Sequence, residues 1–452
     1  MATKKELIQA QAYSRRRLLT AFTSGIPGGK ELEPAKPLRA VVAGVALSVL
    51  LILGSLILGL INPGLPTGWD NNALIIAKGT GARYLSVNGT LYPVLNTTSA
   101  RLLVPSKSFS VLTLDPANLE KTPRGETIGI LGAPDALPKP MDLTDGSWAA
   151  CAAGPSAMRA TLGTNPGGVR AVSGAMLVST PDEDVVIAGS RRYPIARGEA
   201  PAVLRALGIS PRSVAVPARW LNLFEPATAL TALDIPGAGQ SSATPVLVDG
   251  RPVPVGTVLR VGTGAEETRF VLTQEGELAP LSPVAYQLYL LGTGTRLGEE
   301  RTVAPSQISA LRTATTAIAP EDWPAERLTT VSVKDKLPCA QLTLIDKERA
   351  AVSLAVADDP EALTKGAEVR MPPASGALVR AVGDGANGGL LFVVDSSGTA
   401  YAVPGANAEV LARLGFKEKD VSEVPSAWVD LFQTGPELSE AAAGQPLART
   451  GS

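Results

Sequence analysis

Residues 193–224, YPIARGEAPAVLRALGISPRSVAVPARWLNLF, and residues 401–432, YAVPGANAEVLARLGFKEKDVSEVPSAWVDLF, align almost without gaps. Tyr, Val-Leu, Leu-Gly, Val-Pro, Trp and Leu-Phe recur in order, so the two stretches read as copies of one module. Each copy reads as a strand, a turn and a short helix around 202–207 or 409–414, stopped by Gly208 or Gly415. A second helix then opens near Pro217 or Pro425. On it Trp220 and Phe224, and likewise Trp428 and Phe432, stand four apart and share one face. Such a stripe either packs against the module's own strands, the commoner use, or meets a partner.

Weaker copies lie outward from these. SVNGTLYPVLNTTSARLL at 86–103 and VLTQEGELAPLSPVAYQLYLL at 271–291 repeat the order strand, Gly turn, strand, proline and apolar helix. Four related modules therefore precede, separate and follow the segments that hold the only two cysteines, Cys151 and Cys339. An even pair in an oxidising compartment is most simply a disulfide, with two separate buried thiols as the competing reading.

The compartment follows from residues 40–61, AVVAGVALSVLLILGSLILGLI, an uncharged run long enough to cross a ~30 Å hydrocarbon layer as a helix. Lys4, Lys5, Arg15, Arg16, Arg17, Lys30, Lys36 and Arg39 precede it against Glu6, Glu31 and Glu33, an excess of five positive charges. That asymmetry holds the tail in the cytoplasm and sends the rest across the membrane. A cleaved signal peptide would have a shorter apolar core, starting sooner. Arg15, Arg16, Arg17 and Arg39 thus read as topology determinants.

Composition removes many chemistries. The 452 residues include no histidine, which excludes Ser/His/Asp and Cys/His catalysis and the common histidine-bearing zinc sites. A net charge of −1, with no dense basic patch after the apolar run, argues against nucleic acid. GIPGGKE at 25–31 lacks P-loop spacing. GDGANGG fits G-x-G-x-x-G through Gly383, Gly385 and Gly388, but strand-like runs flank it on both sides, whereas phosphate binding needs a helix after the glycines. Asp182, Glu183 and Asp184, and Asp358 with Asp359, read as solvated turns beside prolines. The sequons at Asn88 and Asn96 read as backbone chemistry.

The expected fold class is α+β: one N-terminal transmembrane helix, then an elongated extracytoplasmic body of four β-hairpin/helix repeats around a β-rich, disulfide-bearing central domain. The expected order is a cytoplasmic tail at 1–39, transmembrane helix at 40–61, linker at 62–80, the first repeat at 81–120 and the first segment of the central domain at 121–180. The second repeat follows at 181–235, the third with linkers at 236–325, the second segment of the central domain at 326–385, the fourth repeat at 386–436 and a mobile tail at 437–452.

QAYSRRRLLTAF in the tail, PLRAVVAG opening the span, ARYLSVNGTLYPVLNTTSARLL, PRGETIGILGAPDALP and WxxC at Trp148 to Cys151 together resemble the EccB family. These are single-span core subunits of actinobacterial type VII (ESX) secretion systems. The resemblance covers nearly the whole chain, and the LYPVLN-x-x-SARLL block with GAPDALP is its most specific portion. It implies work beside EccC, EccD and EccE in an inner-membrane complex, with self-association. Its repeats are also similar to a phage-lysin cell-wall-binding fold, which implies contact with peptidoglycan. The family has been described as ATPases, but no nucleotide site is recognisable here, so no catalytic or cofactor residue is carried over. The leading expectation is a scaffold around the export path; ATP hydrolysis and envelope binding are the alternatives.

Overall fold

The computed structural model describes residues 4–24, 38–61, 65–144, 147–264, 267–297, 300–383 and 388–447. The chain divides into two units, Met1–Pro66 and Thr67–Ser452. The first holds two helices, α1 (Lys4–Ser24) and α2 (Leu38–Ile61). Arg15, Arg16 and Arg17 are exposed on α1, and Arg39 lies in the first turn of α2. In α2 the hydroxyls of Ser48 and Ser55 donate to the carbonyls of Gly44 (2.9 Å) and Ile52 (2.8 Å), so their polar atoms are satisfied within the helix. Side chains of α2 are described over 40–55, and within that limit no helix is long and apolar enough to cross a membrane.

The second unit begins with β1 (Ala73–Ala77), β2 (Arg83–Val87), β3 (Thr90–Pro93), α3 (Thr97–Leu103) and β4 (Ser110–Leu114). They form a sheet of order β3-β2-β1-β4, in which β4 returns parallel to β1 after the helix. Asn88 and Gly89 both have positive φ, the geometry of a two-residue hairpin turn. After α4 (Pro116–Leu119) come β5 (Trp148–Ala152), β6 (Met158–Leu162) and β7 (Val169–Ala171).

A second sheet of the first kind follows: β8 (Ala175–Ser179), β9 (Asp184–Ala188), β10 (Arg191–Ile195), α5 (Ala200–Leu207), β11 (Val214–Ala215), α6 (Ala218–Leu221) and β12 (Glu225–Pro226). The short hairpin β13 (Leu247–Val248) and β14 (Arg251–Pro252) leads into a third. It comprises β15 (Val258–Val261), β16 (Thr268–Leu272), β17 (Leu278–Leu281), α7 (Pro283–Leu291), α8 (Gly294–Leu297) and β18 (Arg301–Val303).

Beyond α9 (Pro305–Ile308) lie β19 (Leu337–Leu344), β20 (Ala350–Ala357), α10 (Pro360–Thr364) and β21 (Val369–Arg370). A fourth sheet holds β22 (Ala377–Val382), β23 (Leu390–Val394), β24 (Thr399–Val403), α11 (Ala408–Leu414), β25 (Ser422–Pro425), α12 (Ser426–Val429) and β26 (Gln433–Thr434). The last helix is α13 (Glu440–Ala443).

All four of these satellite sheets share one connectivity: three antiparallel strands, a helix, and a strand returning parallel to the first. The sixth sheet is central, with order β21-β6-β5-β19-β20-β7. Its halves interlock, because β7 of the first pairs with β20 of the second and β21 of the second pairs with β6 of the first.

Three expectations need correction. The first satellite sheet starts at Ala73, inside the stretch assigned to the linker at 62–80. Likewise β8 and β22 fall inside the stretches assigned to the central domain. These opening strands, ALIIA, AMLVS and ALVRAV, are largely apolar runs without the alternation that marks a half-buried strand, and a continuous run does not declare which sheet it joins. The third correction is the tail assigned to 437–452, whose described residues pack on the fold. Leu438 and Ala443 are buried, Ser439 caps α13, and Leu447 N–H donates to Thr127 O at 3.1 Å. Its Ala, Gly and Glu content hid two well-spaced anchors.

Candidate functional site: the seam around the central sheet

Strand alternation divides the central sheet into two chemically different faces. Trp148 and Ala150 of β5, with Ala340 and Leu342 of β19, point into the largest core. Ala149, Cys151 and Cys339 point to the other, where Leu363 of α10 covers them. Cys151 and Cys339 are directly opposite in the β5/β19 ladder and form the disulfide, closing a separation of 188 positions.

The large core also receives one face of the second satellite sheet, through Met176, Val178, Val185 and Ile187, and one face of the fourth, through Val379, Val394 and Ala400. Trp220, Phe224, Trp428 and Phe432 belong to it and are buried, so the aromatic stripe is a packing seam within the chain. The helices that carry it are shorter than the spacing predicts, since α6 ends at Leu221 and α12 at Val429. Phe224 and Phe432 hold their direction through turn hydrogen bonds to Leu221 O and Val429 O, both 3.1 Å. Trp220 Nε1–H donates to Ala150 O at 2.9 Å, hooking the second sheet onto β5. Trp148 meets Trp428 and Phe432 edge-on, with ring centroids 6.5 and 5.7 Å apart. The indole N–H groups of Trp148 and Trp428 are buried without a hydrogen-bond acceptor.

Two outer seams extend this arrangement. The opposite face of the second sheet, with α5, shares a core with the third sheet and α7. The opposite face of the fourth packs against Leu102 of α3. There Arg413 Nη1 donates to Leu102 O (2.5 Å) and Glu440 Oε2 (2.7 Å), while Glu409 accepts from Ser106 N–H (2.9 Å) and Oγ–H (3.1 Å). The Ser106 amide bond holds the Glu409 carboxyl below its ordinary value. Gly208 and Gly415 terminate α5 and α11 in the left-handed region, as the sequence predicts.

The densest cluster of charge lies on the third sheet. Arg260 and Arg269 are directly opposite in the β15/β16 ladder, a repulsive pairing that Glu267 and Glu300 neutralise. Arg269 Nε contacts Glu300 Oε2 at 2.8 Å and its Nη2 contacts Glu267 Oε1. Arg260 reaches both carboxylates at 3.3 Å. The Arg269 guanidinium also lies over the Tyr286 ring, 4.4 Å from its centroid. Burial alone would raise the Glu300 pKa, but the bond to Arg269 and the two guanidinium charges lower it overall. Burial pushes the phenols of Tyr289 and Tyr401 up to about 12. Each donates inside the fold, Tyr289 to Gly256 O and Tyr401 to Asp395 Oδ2 at 3.1 Å.

The remaining motifs are structural in their surroundings. Gly383 follows β22 and Gly388 precedes β23, which pair antiparallel, while Gly385 lies outside the described residues, as does 25–31. Thr180 organises the turn holding Asp182, Glu183 and Asp184. Asp358 pairs with Arg170 (2.9 Å) and Lys336 (2.6 Å), whose hydrogen bonds hold it below its ordinary value. Asp359 caps α10. Asn96 is buried and caps α3, accepting from Ser99 N–H at 2.9 Å and donating to Ile130 O at 2.8 Å. Among the described residues no group of three His, Cys, Asp or Glu side chains is placed to hold a metal. Sequence reasoning missed the Arg413 clamp and the third-sheet charge cluster; for the cluster, the Arg and Glu residues within 260–300 were the signal.

Among the described residues, buried seams and paired charges are the prominent features. Residues 1–447 match the family model described as Type VII secretion system ESX-1, transport TM domain B. The chain belongs to the EccB family. A relative named ESX-3 secretion system ATPase EccB3, from Mycolicibacterium smegmatis, is 29% identical over 445 residues, covering 89% of this chain and 82% of the relative. A solved EccB3 dimer from the ESX-3 core complex is 27% identical with a TM-score of 0.65, covering 83% of this chain and 100% of that one. A chain of an intact ESX-5 inner membrane complex has the same fold, with a TM-score of 0.65 at 24% identity, over 100% of this chain and 98% of that one.

Proposed function

We propose that this EccB-family chain is a membrane-anchored scaffold subunit of a type VII secretion inner-membrane complex, its sheet unit self-associating on the extracytoplasmic side around the export path. One observation carries the reading: a disulfide-tied central sheet shares its core with two satellite sheets, and the charges of the third sheet and of Arg413 are paired within the fold. That is how a rigid spacer is built. The four satellite sheets, on this reading, are copies of one duplicated module.

For the anchor, the argument is length and charge. The 24 residues of α2 would extend ~36 Å, and no charge occurs between Ala40 and Ile61. The basic residues before it favour a cytoplasmic N-terminus. EccC, EccD and EccE are the expected neighbours.

The test is mild-detergent extraction of tagged chain from its own membranes, followed by sizing and mass spectrometry. A megadalton-scale assembly containing those subunits is expected; recovery only as a free monomer would overturn the scaffold reading. A second reading, ATP hydrolysis by this chain, is motivated by the name of its relatives. It predicts turnover by purified chain that survives further purification, and activity lost on repurification would remove it. Retention on insoluble peptidoglycan separates envelope binding from both.

A further inference from the structure

Sheet edges expose unpaired backbone groups, and folded chains cover, shorten or charge them. In this molecule almost every edge is handled so. Residues 123–125 cover β3, with Leu91 N–H donating to Pro123 O (2.8 Å) and Gly125 N–H to Leu91 O (3.0 Å). Residues 312–314 cover β17 in the same way, and Glu423 of β25 donates to Lys347 O at 2.7 Å. The strands β11, β12, β21 and β26 have two residues each, and β7 and β18 three.

Among the described residues β4, five residues long, is an edge strand left uncovered along its whole length. Ser110 N–H donates to Asn72 O (3.3 Å) and Lys78 N–H to Leu114 O (2.8 Å). Ser110, Leu112 and Leu114 therefore turn their backbone groups toward β1, while Val111 and Thr113 present theirs outward. Both are exposed, Val111 by 51%.

We propose that β4 pairs antiparallel with β4 of a second copy of this chain, about a twofold axis at Leu112. The inference rests on the self-association proposed above and names its surface. Self-complementarity selects a second copy as the occupant. The outward residues flank Leu112 symmetrically, so Val111 faces Thr113 of the second copy and Thr113 faces its Val111. Each pair exchanges two N–H···O bonds, and the closed, isologous contact joins two four-stranded sheets into one of eight. SVLTL carries no charge to repel its own copy. One strand pair is smaller than a standard interface, so tethering both copies in one membrane supplies the effective concentration it needs.

The test uses full-length chain in its own membranes. Leu112→Cys places two thiols across the axis, and mild oxidation is expected to give a covalent dimer, whereas the exposed control Lys107→Cys gives none. Val111→Pro removes an outward N–H that β1 does not use, and is expected to raise the dimer dissociation constant in detergent by roughly tenfold or more. An unmodified chain that is dimeric, with Leu112→Cys uncrosslinked and Val111→Pro equally dimeric, would overturn the β4 contact and leave self-association standing. A monomeric unmodified chain with no crosslink would overturn both.

Discussion

Trp220 and Trp428 occupy matching places in the two most similar stretches, yet their indole groups are not equivalent. Trp220 Nε1–H donates to Ala150 O at 2.9 Å, whereas Trp428 Nε1–H is buried without an acceptor. A change to Phe removes the N–H from both and shrinks both rings. Only at Trp220 does it also remove a hydrogen bond, a second one to a carbonyl that stays in the β5/β19 ladder, worth about 0.5–1.5 kcal/mol net. Trp220→Phe is therefore expected to lower the denaturant midpoint further than Trp428→Phe, by the equivalent of about 1 kcal/mol. Equal midpoints would mean that the Ala150 bond contributes nothing net. The sequence showed that both aromatic pairs matter, but not which way they face. Four-residue spacing is the same for a stripe turned inward and one turned outward, and burial in the core that the central, second and fourth sheets share decides it.

Individual elements show why some of the fold was legible and some was not. The hairpin at Asn88-Gly89, the stops at Gly208 and Gly415 and the cap at Asn96 all follow from local chemistry that a sequence states directly. The opening strands β1, β8 and β22 did not declare their sheet, because each pairs in parallel with a strand 30 or more residues later, and parallel pairing leaves no turn signal. The C-terminal element was hidden by its composition. Leu438→Ala should cost about 2–4 kcal/mol, read as a fall in the denaturation midpoint, and an unchanged midpoint would make α13 an accessory. The third sheet permits a test by pH. Glu300 has a folded pKa below its ordinary 4.5, so the stability it contributes is fully present above that value and is lost as pH falls through the depressed folded value. Glu300→Gln should therefore cost about 1–2 kcal/mol at pH 7, with a deficit relative to the unmodified chain that shrinks below about pH 4. Thermal melts of both proteins from pH 7 to 3 measure it, and a deficit independent of pH would assign the effect to packing.

Across the whole sheet unit, the cores form a series: third sheet, second sheet, central sheet, fourth sheet, then α3 beside the first sheet. The second and fourth sheets are buried on both faces, so neither opens without exposing some of the core it shares with β5 and β19. Amides in β8 and β23 should accordingly lose hydrogen-exchange protection together with those of β5 and β19, while the β13/β14 hairpin exchanges first. The disulfide sets the scale of that cooperative step. Bridging positions 188 apart, it contributes up to about 5 kcal/mol by constraining the unfolded chain, an upper bound because denatured-state structure reduces it. Replacing both Cys151 and Cys339 by Ala should lower the exchange free energy of β5, β8, β19 and β23 by one common amount and leave the fast amides of the β13/β14 hairpin unchanged. A loss confined to β5 and β19 would mean that the satellite sheets fold on their own cores, and that the central sheet joins them without governing their stability.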